Sequence, residues 1–361
     1  MKLLFLSKRR PQGKDLLSRP YGRFFHIPRL LAKRGHEVTL LLLDYRKDPA
    51  LEIDRNGIHW LSRSLWGRGH DSYWATANFL AKKEHPDWII GCSDTYFGIM
   101  AEYLAESFDA ASLIDAYDNY ESYLPWCRPL HHLWRHAIAK ADVVTAAGPQ
   151  LADLLHQQRP DKPVHVVPMA ADPNIFIPLD RNACRLELNI PIDKKAIGYC
   201  GSIYHNRGME ILFEAHQILK KHGNNIDLLL TGRKSKSITI PASAQWLGYL
   251  PDEKMSVFLN SLDIAVILNR TSSFGNFSYP VKLYEAMRCH IPVIATNTPP
   301  ANWILEGDKR FLTQPDDPYD LADKIRQALK LGRTEYGEQS SWEQSCSAFE
   351  KVLLKQQVVN N

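Results

Sequence analysis

Short apolar runs alternate with amphipathic stretches along most of the chain, the pattern of repeated strand–helix–strand units. The spacing predicts a strand at Lys2–Leu6, a helix over Pro20–Lys33 and a second strand at Glu37–Leu43. Gly35 stands where a helix-ending glycine belongs, with Lys33 and Arg34 in the last turn. Further strands are predicted at Trp88–Gly91, Ser112–Asp115, Asp142–Thr145 and Val164–Pro168, with helical patterns between them. Residues 169–192 are rich in Asp, Asn and Pro and lack clear periodicity before Arg181–Leu188, so their first half reads as a linker.

The alternation then restarts. Strands are predicted at Ala196–Cys200, Ile226–Thr231, Trp246–Gly248, Ile264–Leu268 and Pro292–Ala295. Helices are predicted over Arg207–Lys221, Val281–Cys289 and Tyr319–Leu331, with a last one at about Trp342–Gln356. Two doubly wound halves in succession imply an α/β fold of two Rossmann-like domains, 1–170 and 171–361, facing each other across a cleft. Ligands of such sheets sit at the carboxyl ends of the strands. No G-x-G-x-x-G follows either first strand, which counts against a dinucleotide oxidoreductase.

Composition excludes other classes. With 361 residues, 45% of them apolar and 23% charged, the chain has the make-up of a soluble globular protein rather than a disordered one. No stretch approaches the roughly eighteen uncharged apolar residues of a membrane-spanning helix, and Leu3–Leu6 is too short a run for a signal peptide. The six cysteines include no close pair, so neither a zinc knuckle nor a redox dithiol is indicated, and single scattered thiols suit a reducing cytoplasm.

Net charge is only +4, but it is uneven. Residues 1–34 hold ten lysines and arginines against Asp15 alone, a local +9, so the rest of the chain sums to −5. Tyr21, Phe24 and Phe25 are interleaved with these bases. The segment reads either as a patch for phosphates (anionic lipid headgroups, a nucleotide or nucleic acid) or as a solvated surface whose aromatics turn inward.

The segment with most chemistry is residues 278–296. Pro280 suits the first turn of a helix, and the small-residue loop Thr271–Phe277 precedes it. A helix starting there aims free N–H groups and its positive dipole end at an anion. Lys282 and Glu285, three apart, share one face of it. A lysine in that place suits a diphosphate, and a glutamate one turn deeper can accept two hydrogen bonds from ribose hydroxyls. The plainer alternative is a surface ion pair. His131, His132 and His136 have no Cys or acidic partner nearby in sequence, and read as a partly buried helix face rather than a metal site.

Residues 278–296 resemble the nucleotide-sugar-binding segment of the retaining glycosyltransferases of family 4, which have the GT-B fold. Other segments match in order. Tyr199-Cys-Gly-Ser-Ile with Arg207-Gly208 resembles the loop on the donor diphosphate, and residues 166–176 resemble the interdomain segment. Leu247–Asp263 resembles the stretch framing the donor base, and Ala32–Val38 the first helix-to-strand turn of the acceptor domain. Trp342-Glu343 opens what resembles the final helix, which in this fold crosses back onto the first domain. The resemblance covers nearly the whole chain.

It implies transfer of a sugar from a nucleoside diphosphate sugar to a glycan or lipid-linked acceptor, with retention, in cell-envelope polysaccharide or glycolipid synthesis. The donor would be held by Gly201, Ser202, Arg207, Arg233, Tyr249, Gly275, Asn276, Phe277, Lys282 and Glu285. Three positions depart from the family pattern. Phe277 stands where a first glutamate faces the donor sugar, Ser202 where an arginine often follows the loop glycine, and His290 where a glycine ends the helix. Arg233 or Arg270 is then the replacement positive charge, and histidine tolerates the left-handed conformation better than most residues.

In the first domain, Ile114–Glu121 follows a predicted strand, and Tyr117-Asp118 occupies the place of the family's histidine–aspartate loop. Asp118 or Asp115 would orient the acceptor hydroxyl or stabilise the transition state, with helix capping as the plainer use. The acceptor would lie near Lys8, Arg9, Arg10, Arg19, Tyr21 and Arg23. No Asp-x-Asp occurs, so no metal and no other cofactor is expected; Arg207, Lys282 and the helix dipole would meet the diphosphate charge. No nucleic-acid partner is expected. The protein is placed in the cytoplasm, with contact at the inner face of an anionic membrane through the +9 segment. Two alternatives stay open: a nucleotide-sugar epimerase or phosphorylase of similar fold, and a non-catalytic nucleotide-sugar-binding protein, for which Phe277 is the best argument.

Overall fold

The structure, a computed structural model, describes residues 1–223 and 225–360. It divides into two units. The first comprises Met1–Met169 and the stretch from Trp342 onward, and the second comprises Ala170–Ser341.

The first unit runs β1 (Lys2–Lys8), α1 (Arg23–Lys33), β2 (Glu37–Asp44), β3 (Leu51–Arg55), β4 (Ile58–Ser64), α2 (Tyr73–Glu84) and β5 (Trp88–Cys92). It continues with α3 (Thr95–Phe108), β6 (Ala111–Ala116), α4 (Arg128–Lys140), β7 (Val143–Ala146), α5 (Pro149–His156) and β8 (Val164–Val166). Among the described residues these strands form one eight-stranded sheet in the order β3-β4-β2-β1-β5-β6-β7-β8. Residues 3–7 of β1 and 38–44 of β2 are buried without interruption, as central strands covered on both faces must be. All pairings are parallel except β3 with β4. That edge hairpin was not predicted. It turns at Asn56-Gly57, both with positive φ (56° and 75°), the two-residue turn that fits the twist of paired strands.

Helix α1 starts at Arg23, three residues later than predicted, because Gly22 takes φ 68° as the residue before the first turn. It ends as expected, with Gly35 at φ 92°. The second unit runs α6 (Arg181–Glu187), β9 (Lys195–Cys200), α7 (Met209–Lys221), β10 (Ile226–Thr231), β11 (Ala244–Trp246), α8 (Met255–Ser261) and β12 (Ile264–Ile267). Then come α9 (Val281–Arg288), β13 (Val293–Thr296), α10 (Pro299–Ile304), β14 (Leu312–Thr313) and α11 (Pro318–Ala328). Its strands pair in parallel in the order β11-β10-β9-β12-β13-β14. The apolar faces of α7 and α11 (Leu212, Ala215, Leu219, Leu321, Ile325) close over Ile197, Leu228 and Val266 of this sheet.

The last helix, α12 (Trp342–Asn360), belongs to the first unit and lies along α1. Trp342 stacks on His26 with ring centroids 5.1 Å apart, and Phe349 on Phe5 at 6.3 Å. Glu350 receives hydrogen bonds from Arg34 (2.6 Å) and pairs with His36 (2.8 Å). Among the described residues no helix is long and apolar enough to cross a membrane.

Candidate functional site

In the second unit the donor candidates gather at the carboxyl ends of the parallel strands. The loops after β9 and β10 are zipped together: Gly201 N–H donates to the Thr231 carbonyl (3.0 Å), Ile203 N–H to Arg233 (2.8 Å) and Ser235 N–H to Ile203 (3.0 Å). A Cβ added at Gly232 would meet the Gly201 carbonyl oxygen at 1.8 Å, so this backbone approach requires glycine there. Ser202 sits in the zipped loop, its carbonyl accepting the buried Tyr199 hydroxyl at 3.0 Å. Arg233 lies over the Tyr249 ring, 5.4 Å from its centroid.

Arg207 ends the short turn before α7. Its guanidinium lies 5.0 Å from the Phe274 ring centroid and 3.4 Å from Asn269 Oδ1. It lines a recess with Asn269, Thr296 and Thr313, residues at the carboxyl ends of β12, β13 and β14. The loop before α9 is tightly folded. Gly275 N–H donates to Ser272 Oγ (2.9 Å), and a Cβ there would meet the Arg270 carbonyl oxygen at 1.9 Å. Asn276 carries a buried Oδ1 without a hydrogen-bond partner among the described residues, and Phe277 is half-buried.

Helix α9 begins after Pro280. Lys282 Nζ donates to Glu285 Oε2 at 2.8 Å. Glu285 is 0% exposed, so this is not the surface ion pair of the plainer reading: a buried carboxylate is held beneath a partly exposed ammonium. Burial pushes the Tyr199 hydroxyl well above the ordinary tyrosine range, while Arg207 and Lys282 both pull it down. Arg270, the alternative positive charge, pairs with Glu210 (3.3 Å), which also pairs with His205. His290 takes φ 58°, so the position expected to need a left-handed residue has one. A cavity of about 720 Å³ opens elsewhere in this unit, between α10 and residues 335–340, and no donor candidate lines it.

In the first unit the +9 segment is a count along the sequence rather than a charge on the surface. Lys8 pairs with Asp94, Arg9 with Asp15 (3.0 Å), and Arg10 with Asp15 (2.8 Å), Asp44 and Asp48. Most of these carboxylates come from other strand ends that the linear count left out. Arg23 is 1% exposed and bidentate to Asp115, itself buried, and it donates to the Val167 carbonyl as well (2.9 Å). Thr145 Oγ1 donates to the same carboxylate (2.6 Å). Arg23 and Asp115 are thus engaged with each other, buried inside the unit. Phe24 and Phe25 do turn inward. Arg19 N–H donates to the Asp15 carbonyl (2.7 Å), and Tyr21 lies under Lys14, whose Nζ is 3.5 Å from the ring centroid.

Asp118 is buried, and Tyr123 donates to its Oδ2 at 2.8 Å. Tyr117 lies beside it, its hydroxyl 3.3 Å from that of Tyr123. Lys8 Nζ is 5.4 Å from the Tyr123 ring centroid. The structure thus joins Lys8, Asp118, Asp94 and Tyr123 at the ends of β1, β5 and β6, and sets Arg23 and Asp115 below them. Asp94, Tyr123, Asn269 and Phe274 were not singled out from sequence. Asp94 and Asn269 each follow a strand end within two residues, a signal that was available.

Residues 23–170 match the model of the glycosyl transferase 4-like domain, and residues 194–330 that of the glycosyl transferases group 1. The chain belongs to the group 1 glycosyl transferases. Its similarity to D-inositol 3-phosphate glycosyltransferase of Corynebacterium jeikeium is 26% identity over 220 residues, 52% of this chain and 51% of that protein. Capsular polysaccharide biosynthesis glycosyltransferase CapM of Staphylococcus aureus is 27% identical over 146 residues, 38% of this chain and 37% of that protein. The chain therefore spans about half the length of these curated relatives, or less. Two solved structures share the fold: sucrose-phosphate synthase of Thermosynechococcus elongatus (TM-score 0.75, 15% identity) and Anabaena HepE in complex with UDP (TM-score 0.72, 15% identity). Each match covers 100% of this chain and 98% of the other. The glycosyl transferase chain is thus an α/β protein of the GT-B class, with a Rossmann-like parallel sheet in each unit.

Proposed function

We propose that the protein transfers a sugar from a nucleoside diphosphate sugar, with retention of configuration, to a glycan or lipid-linked acceptor taken by the first unit. The carrying observation is buried Glu285 held under Lys282 at the opening of α9, with Arg207 lining the recess at the carboxyl ends of β12, β13 and β14. As the bond from the anomeric carbon to the diphosphate oxygen breaks, negative charge develops on the leaving group. Arg207, Lys282 and the N–H groups opening α9 meet that charge, the kind of interaction that usually supplies the largest catalytic term. Glu285, anchored beside Lys282, accepts hydrogen bonds from the ribose hydroxyls. The charge on the diphosphate is met without a metal.

UDP is the first nucleotide to test, because the HepE structures are complexes with UDP and with UDP-glucose. A role in envelope polysaccharide or glycolipid synthesis, carried out in the cytoplasm, draws support from the likeness to CapM. One observation favours a second reading: Phe277 removes the carboxylate that faces the donor sugar in the family pattern, which suits a protein that binds a nucleotide sugar without turnover. Incubation with UDP-glucose and a glycan acceptor, followed by detection of released UDP, separates the two. Acceptor-dependent release supports transfer; tight binding with no release favours the binding protein. Conversion of the sugar while it stays on the nucleotide, with no acceptor present, would mark an epimerase.

A further inference from the structure

The ion pairs of residues 8–23 withdraw the charge on which membrane contact was expected, yet the same end of the first sheet carries a different surface. Strands β2, β4 and β6 are parallel members of one sheet, so the segments leaving them emerge on one side. Tyr45 directly follows β2, and Leu65 and Trp66 directly follow β4. The two exits are adjacent, since Asp44 pairs with Ser64 across the strands. They are also fixed: Leu65 N–H donates to the Asp44 carbonyl (2.7 Å), Ser64 Oγ to the Arg46 carbonyl (2.9 Å), and Trp66 N–H to Ser64 Oγ (3.2 Å). Trp66 is 64% exposed, and Tyr45 and Leu65 are exposed with it. Beyond β6, Leu124 is exposed and Trp126 is 77% exposed. An exposed aliphatic beside each exposed tryptophan adds apolar surface that water disfavours.

The charges between these side chains are positive. Arg46, Lys47, Arg68 and Arg128 are all exposed, and none is drawn into an ion pair among the described residues. Among the acidic neighbours, Asp48 pairs with Arg10, Asp94 with Lys8 and Glu121 with Arg135, and exposed Asp71, three residues after Arg68, leaves the cations in excess. Tryptophan, tyrosine and leucine interleaved with arginine and lysine is the composition of a surface that settles into the headgroup region of an anionic bilayer. We infer that the carboxyl end of the first unit's sheet, centred on Tyr45–Lys47 and Leu65–Arg68, docks on an anionic lipid membrane.

This inference stands apart from the transfer reading and is tested without turnover. Full-length protein is sedimented with phosphatidylcholine vesicles and with vesicles containing phosphatidylglycerol as the minor lipid. The protein should follow the anionic vesicles only, and high salt should release it. Leu65→Ser with Trp66→Ser should weaken binding by roughly tenfold or more, as should Arg46→Ala with Lys47→Ala. All four positions are exposed, so both variants should keep the wild-type melting temperature. Leu186→Ser, at an exposed position of the second unit, should bind as wild type does. Negligible sedimentation with either vesicle, or unchanged sedimentation of both double variants, overturns the inference.

Discussion

Arg23 and Asp115, 92 positions apart in sequence, form a bidentate ion pair inside the first unit, with Nε–Oδ2 at 2.9 Å and Nη2–Oδ1 at 2.6 Å. The pair ties the first turn of α1 to the carboxyl end of β6. A second bond from Arg23 to the Val167 carbonyl extends the tie to the segment after β8. Each charge is buried, and each finds its counter-charge in the other.

Removing one partner should therefore cost far more than removing both. Arg23→Met is expected to destabilise the first unit by about 3–5 kcal/mol, and Arg23→Met with Asp115→Leu by less. Urea unfolding followed by circular dichroism gives both values. A single variant as stable as wild type would remove the pair from the list of buried ties.

The last helix is held by a titratable contact. Burial alone would raise the Glu350 carboxyl, but hydrogen bonds from His36 and Arg34 outweigh it and hold the group below its ordinary value of 4.5. A lowered carboxylate pKa contributes stability that is present above the ordinary value and is lost as pH falls through the folded one. Glu350→Gln should lower the melting temperature at neutral pH, by the equivalent of about 1 kcal/mol, and the gap should close as pH falls below the ordinary carboxyl value of 4.5. Thermal unfolding across that range, wild type beside variant, is the measurement. A gap that widens in acid would contradict the assignment.

His290 holds a left-handed conformation that costs a side-chain-bearing residue roughly 1 kcal/mol and glycine almost nothing. His290→Gly is expected to stabilise the second unit by about 0.5–1 kcal/mol, visible as a rise of a few degrees in melting temperature. A fall would mean that the histidine ring contributes contacts worth more than the strain.

The fold was largely legible because parallel strands covered on both faces announce themselves as uninterrupted apolar runs. Leu3–Leu6 and Leu228–Leu230 are examples, and the predicted strand Ile226–Thr231 falls on β10 residue for residue. The β3–β4 hairpin went unread: β3 lies on the sheet edge, half exposed, and lacks such a run, although Asn56-Gly57 carried the turn signal. In the site, Lys282 and Glu285 were legible because three residues on a helix fix their neighbourhood. The partners of Arg9, Arg10 and Arg23 were not. Asp44, Asp48 and Asp115 reach them only through the order of strands in the sheet, which no local pattern records. For the same reason Lys8, Arg9, Arg10 and Arg23 of the local +9 are drawn into ion pairs, while Arg46, Lys47, Arg68 and Arg128 stand exposed.

The central claim is that Arg207, Lys282 and Glu285 form a nucleoside diphosphate site. Lys282→Ala should lower transfer by roughly 10²-fold or more, since one charge-stabilising group is lost where charge develops. Calorimetric titration of UDP, GDP, ADP and TDP into wild type and Lys282→Ala, with and without magnesium, is the most direct measurement. One diphosphate should bind the wild type, equally with and without magnesium, and bind the variant at least about tenfold more weakly. At a hundred times its dissociation constant, the same ligand should stabilise the wild type by about 2.7 kcal/mol. Absence of binding by every diphosphate, or equal binding by wild type and variant, would contradict the account.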